Sequence, residues 1–103
     1  MENFIRLIPG REMRFTFRDH AFVDRTITDP VLKIPKLVHS LTFMVRTLDG
    51  KPDERILSVI SDRLISELSA YLPEKKYLGY EFTLLKPTEP FASPKLVSVR
   101  PLP

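Results

Sequence analysis

Between Pro52 and Pro73 the apolar residues Leu57, Ile60, Leu64, Leu68 and Tyr71 recur at helical spacing, and this stretch alone predicts a long helix, over about residues 52–72. Pro52 or Asp53 suits its first turn, Asp53 and Glu54 complement the dipole there, and Pro73 stops it. A helix of about 20 residues is about 30 Å long. It can cover one face of a small sheet and no more, so the second face must find another use.

The rest of the chain reads as strands. Met13, Phe15 and Phe17 alternate with Arg14, Thr16 and Arg18, which is the period of a half-buried strand. Asp19-His20 reads as a turn, and Ala21 to Thr28 as a second, more polar strand closed by Asp29-Pro30. Val31 to Ile34 is an edge strand or a loop. Leu41, Phe43 and Val45 alternate with Thr42, Met44 and Arg46 before the turn signal Asp49-Gly50. Tyr77 to Lys86 and Lys95 to Arg100 are two further strands. Phe4 to Ile8, closed by Pro9-Gly10, is a short strand or an ordered arm.

The expected class is therefore α+β: a mostly antiparallel sheet of 4–6 strands with one long helix packed on it. The Leu41 to Lys86 unit could also set two strands parallel through a right-handed crossover. A chain of 103 residues makes one domain.

The helix belongs on the face that carries Phe15, Phe17, Phe43, Val45, Tyr80, Phe82 and Leu84. Each large side chain buried there contributes about 1.5–3 kcal/mol. The opposite face then presents Arg14, Thr16, Arg18, Thr42, Met44, Arg46, Thr83 and Leu85, too apolar for a plain solvated face and too polar for a core. It has three readings. It can be a platform for single-stranded nucleic acid, with Arg14, Arg18, Arg46 and Lys86 on phosphates and the spare aromatics Phe22, Tyr77 and Phe91 on bases. It can be a homodimer interface centred on Met44, Leu48 and Leu85. Or the chain's own Phe4 to Ile8 and Val31 to Leu37 segments can fold across it.

The net charge of +3 permits a polyanionic partner without demanding one. The absence of cysteine excludes disulfides, thiolate metal sites and cysteine nucleophiles, and favours a reducing, cytoplasmic setting. No apolar run approaches the roughly 18 residues of a membrane span, and Met1 to Arg6 does not read as a signal peptide. The three glycines, Gly10, Gly50 and Gly79, are isolated, so no phosphate-cradling loop is present. His20 and His39 lack the companion ligands of a metal site. Asp19, Asp24 and Asp29 fall at expected turns, and the serines show no nucleophile elbow. The expectation is a protein without catalysis, metal or cofactor, acting away from the membrane.

From Leu41 to Pro101 the chain runs LTFMVRTLDGKPDERILSVISDRLISEL and then, from Tyr71, YLPEKKYLGYEFTLLKPTEPFASPKLVSVRP. A strand ends in Asp49-Gly50, a helix carries Ser61-Asp62-Arg63-Leu64, a Gly79-Tyr80 strand follows, and Val99-Arg100-Pro101 closes the unit. This resembles small accessory proteins of archaeal and phage replication modules, some of them regarded as single-stranded-DNA binders. The resemblance implies an archaeal or viral source and favours DNA as the ligand. It covers none of the first 40 residues and assigns no functional residue.

Overall fold

The computed structural model describes residues 3–29, 31–89 and 92–103. Its strands are β1 (Glu12–Thr28), β2 (Pro35–Leu48), β3 (Lys51–Pro52), β4 (Ile56–Val59), β5 (Tyr80–Leu85) and β6 (Lys95–Pro101). Between β4 and β5 lie helix α1 (Asp62–Leu68) and two 3-10 segments, Ser69–Tyr71 and Pro73–Gly79. The strands form one antiparallel sheet in the order β3-β2-β1-β5-β6, with β4 also paired to β2. β2 and β5 both run against β1, which lies between them, so they are parallel to each other without being neighbours.

The antiparallel sheet agrees with the sequence expectation, and the single long helix does not. Helix α1 begins ten residues late, where the Ser61 hydroxyl accepts a hydrogen bond from the Leu64 amide as its N-cap. Upstream of it, Ile56–Val59 pairs with Leu41–Met44 as a strand. Leu57 and Val59 point into the core on a period of two, while Ile60, counted in the helical stripe, is exposed. Ladder hydrogen bonds with β2 decide a segment whose apolar spacing fits either period. Asp53, expected to complement a helix dipole, instead accepts the Arg55 guanidinium and backbone amide, and Arg55 holds its carboxyl below the usual range.

Asp19-His20 is not a turn. β1 runs through it to Thr28, and the two strands expected there are one. The register explains how. Phe15 pairs with Leu48, Thr16 with Thr47, Phe17 with Val45 and Asp19 with Met44. Arg46 is an extra residue on β2 and Arg18 an extra residue on β1, so two opposed β-bulges cancel and the ladder resumes in its original register. The alternation changes phase at Arg18, which carries His20 to the core side next to Phe43 and Tyr77. The Val31 to Ile34 stretch is the turn between β1 and β2.

The core lies on one face of the sheet. Phe15, Phe17, Phe43, Val45, Phe82 and Leu84 are buried there beneath Leu64 and Leu68 of α1. Phe17 stacks on Phe43 with ring centroids 4.0 Å apart, and Tyr77 meets both edge-on. Asp49 and Gly50, both at positive φ, make the two-residue turn from β2 to β3 that an Asp-Gly pair favours. Among the described residues no helix is long and apolar enough to cross a membrane.

Candidate functional site

Two surfaces stand outside the core: the back face of the sheet and the far end of the β1–β2 hairpin. On the back face Arg14 pairs across the ladder with Thr83, and Thr16 and Thr47 join through their hydroxyls at 2.6 Å. The chain's own N-terminal segment does not seal this face. It runs beside β4, where Phe4 bridges Ile56 and the Ile5 amide donates to the Ile56 carbonyl at 2.7 Å.

The arginines there have different surroundings. Arg14 lies between two carboxylates, 4.0 Å from Asp49 and 3.9 Å from Glu81. Arg11 takes Asp49 at 3.3 Å and Arg100 takes Glu81 at 2.7 Å. Arg18 and Arg46 are exposed and form no ion pair or side-chain hydrogen bond among the described residues. Each directly follows a core-facing residue, Phe17 or Val45, and those two are cross-strand partners. As the extra residues of the two bulges, Arg18 and Arg46 stand on adjacent strands, which are about 4.8 Å apart.

The other expected site residues lie elsewhere. Lys86 extends the core-side parity of Phe82 and Leu84. It lines a groove of about 600 Å³ with Ile5, Leu57 and Leu64, and its ammonium donates to the Ala92 carbonyl at 3.2 Å. Tyr77 is completely buried and its hydroxyl meets His20 Nδ1 at 2.7 Å, so it cannot stack on a base. Burial pushes its phenol pKa up, with the Asp19 charge adding to the effect. Phe22 is 62% exposed but sits on the hairpin, away from the arginines. Phe91 lies outside the described residues. Arg14 and Arg18 thus lie on β1 and Arg46 on the adjacent β2, and among the described residues none of the aromatics expected to stack stands with them. Of the residues expected at the centre of a dimer interface, Leu48 packs against the core and Met44 and Leu85 are half-buried.

The hairpin is the surface that sequence reasoning missed. β5 pairs with β1 only as far as Phe15, and β4 with β2 only from Leu41 onward. Past Phe22 and Leu41 the two strands continue, down to Thr28 and Pro35, as a ribbon that pairs only with itself among the described residues. Its length is consistent with the molecule's 46 Å long axis, against 29 and 28 Å for the others. Phe22, Val31, Leu32, Ile34 and Leu37 are exposed along it. Its turn is well ordered by hydrogen bonds: Asp29 Oδ1 accepts the amides of Val31 and Leu32, at 2.8 and 2.9 Å, and the Asp29 amide donates to the Ile34 carbonyl. The Leu32 amide, then the Val31 amide, hold the Asp29 carboxyl below its ordinary pKa. Farther back, Arg25 ties the ribbon to the body, donating to the Ser58 hydroxyl at 2.8 Å and lying 5.0 Å over the Phe4 ring.

The described residues hold no group of three or more histidine, cysteine, aspartate or glutamate side chains that could bind a metal. His39 contacts Asp24 across the ribbon, and both are exposed. No protein-family model, curated protein or solved structure matches the chain.

Proposed function

We propose that this chain binds single-stranded nucleic acid, DNA in preference to RNA, without catalysing a reaction, and that Arg18 and Arg46 hold the phosphate backbone. The observation that carries this reading is the pair of opposed bulges, which sets two exposed guanidinium groups, without carboxylate partners among the described residues, on neighbouring strands. A planar guanidinium suits the bidentate recognition of phosphate. Arg14 contributes less, because Asp49 and Glu81 already balance its charge. With no exposed aromatic beside the arginines among the described residues, recognition is of the backbone, weak and tolerant of sequence.

Fluorescence anisotropy with labelled oligonucleotides at several salt concentrations tests this. Binding should weaken as salt rises, and the paired change Arg18→Ala and Arg46→Ala should flatten the log–log salt slope by about 0.7 for each phosphate the protein no longer neutralises. Arg14→Ala should change it less. No binding at low salt, or binding indifferent to the paired change, removes the proposal. A second reading, a module for protein contact, draws on the exposed apolar side chains of the ribbon instead.

A further inference from the structure

We propose that the free part of the β1–β2 ribbon is where two copies of this chain meet, ribbon against ribbon and antiparallel, about a two-fold axis at Leu37. Phe22 pairs with Leu41 and Thr26 with Leu37, so Phe22 and Leu37 share one face of the ribbon. At about 3.4 Å per residue, Phe22 lies about 14 Å from the Leu37 level on the side toward the body. Asp29 lies about 10 Å from it on the other side, and the Val31–Leu32 turn is just beyond. The apolar side chains thus lie on both sides of the Leu37 level, with the exposed Asp24–His39 pair on the same face between Phe22 and Leu37. A second copy, turned end for end on that axis, lays its Val31–Leu32 tip over Phe22 and its Leu37 against the first. An isologous contact of this kind needs no separate receptor surface.

The area agrees. The exposed fractions of Phe22, Val31, Leu32 and Leu37 run from 62% to 79%. For side chains of this size they sum to something on the order of 500 Å². That lies near the upper end of what a typical monomer leaves open, about 300–600 Å². It is also most of the roughly 800 Å² that each partner contributes to a standard interface, before the polar residues between them are counted. A two-stranded ribbon alone in water is marginally stable, and a second layer would remove that weakness.

Light scattering coupled to size exclusion reads the outcome, with far-ultraviolet circular dichroism to check folding. The wild-type chain should run at twice its 12.0 kDa. Leu37→Asp and Phe22→Asp should each return it to the monomer with its fold intact. Because the chain has no cysteine, Leu37→Cys reports position directly. Oxidised, it should form a disulfide-linked dimer, while Val97→Cys, exposed at the far edge of the sheet, should not. A wild-type monomer at high micromolar concentration overturns the proposal. So does a dimer that survives Leu37→Asp, and so does equal cross-linking at positions 37 and 97. If the chain is monomeric and binds an oligonucleotide that Leu37→Asp releases, the ribbon belongs to nucleic acid and the dimer proposal is overturned. The arginine reading stands or falls separately, since the paired Arg18→Ala and Arg46→Ala change lies off the ribbon.

Discussion

The back face of the sheet and the β1–β2 ribbon are both open to solvent, and they are open for opposite reasons. On the back face, cations alternate with hydroxyls, and carboxylates from neighbouring turns and strands neutralise most of them. Asp49 takes Arg11 and Arg14, and Glu81 takes Arg14 and Arg100. The ribbon carries exposed aliphatic and aromatic side chains. A face of exposed ion pairs is content in water, each pair contributing about 0–1 kcal/mol. A run of exposed apolar side chains calls for a partner. Exposure alone therefore does not identify a binding surface; the chemistry left unsatisfied does. By that criterion the back face reduces to Arg18 and Arg46, and the ribbon stands whole.

The sharpest way to test the contrast is along β1 itself, which contributes to both the core and the ribbon. Phe17, buried against Phe43 and Phe82, should lose about 3–5 kcal/mol of stability as Phe17→Ala in denaturant unfolding. Phe22→Ala, in a Leu37→Asp background that keeps the chain monomeric, should stay within about 0.5 kcal/mol. Equal losses would mean that the ribbon is folded into the core and is no separate region. A smaller effect is expected at Tyr77, where Tyr77→Phe removes a buried hydroxyl and leaves His20 without it, costing about 0.5–1.5 kcal/mol by the same unfolding measurement.

The smallest effect is in pH. The carboxyl of Asp29 is held below its ordinary pKa by the Leu32 and Val31 amides, so its contribution is present above the unfolded pKa and is lost as pH falls through the folded one. Asp19 behaves likewise through the His20 amide and then Lys75. Below about pH 4 the ribbon turn should loosen before the body does. Hydrogen exchange at the Val31 and Leu32 amides should speed up there while exchange in β5 stays slow. Asp29→Asn should show the fast exchange already at neutral pH. If turn and body loosen together, the ribbon is not independent.

Much of the body is legible in local pattern. The alternation from Met13 to Phe17 and from Leu41 to Val45 names the residues that are buried, and Asp49-Gly50 names the turn that follows β2. The helix misleads because Leu57 serves a period of 3.6 with Leu64 and a period of two with Val59; the Ser61 cap is the local sign that the helix starts later. The ribbon is hidden because Asp19-His20 has the composition of a turn, and nothing local shows that a bulge on each strand lets the ladder pass through it. Tyr77 reads as a spare aromatic because only the return of its segment beside β1 places it under His20.

By itself the sequence determined which side chains of Met13–Phe17 and Leu41–Val45 face inward, because neighbours on a regular strand point to opposite sides whatever the strand pairs with. It also determined that catalysis by thiolate or a glycine-rich phosphate loop was out of reach, since the residues are absent. Only the tertiary structure decided where each element ends and which exposed surface stays unsatisfied. Strand length follows from ladder hydrogen bonds to a distant partner, and exposure follows from how far the other strands reach; neither is a property of any window of residues.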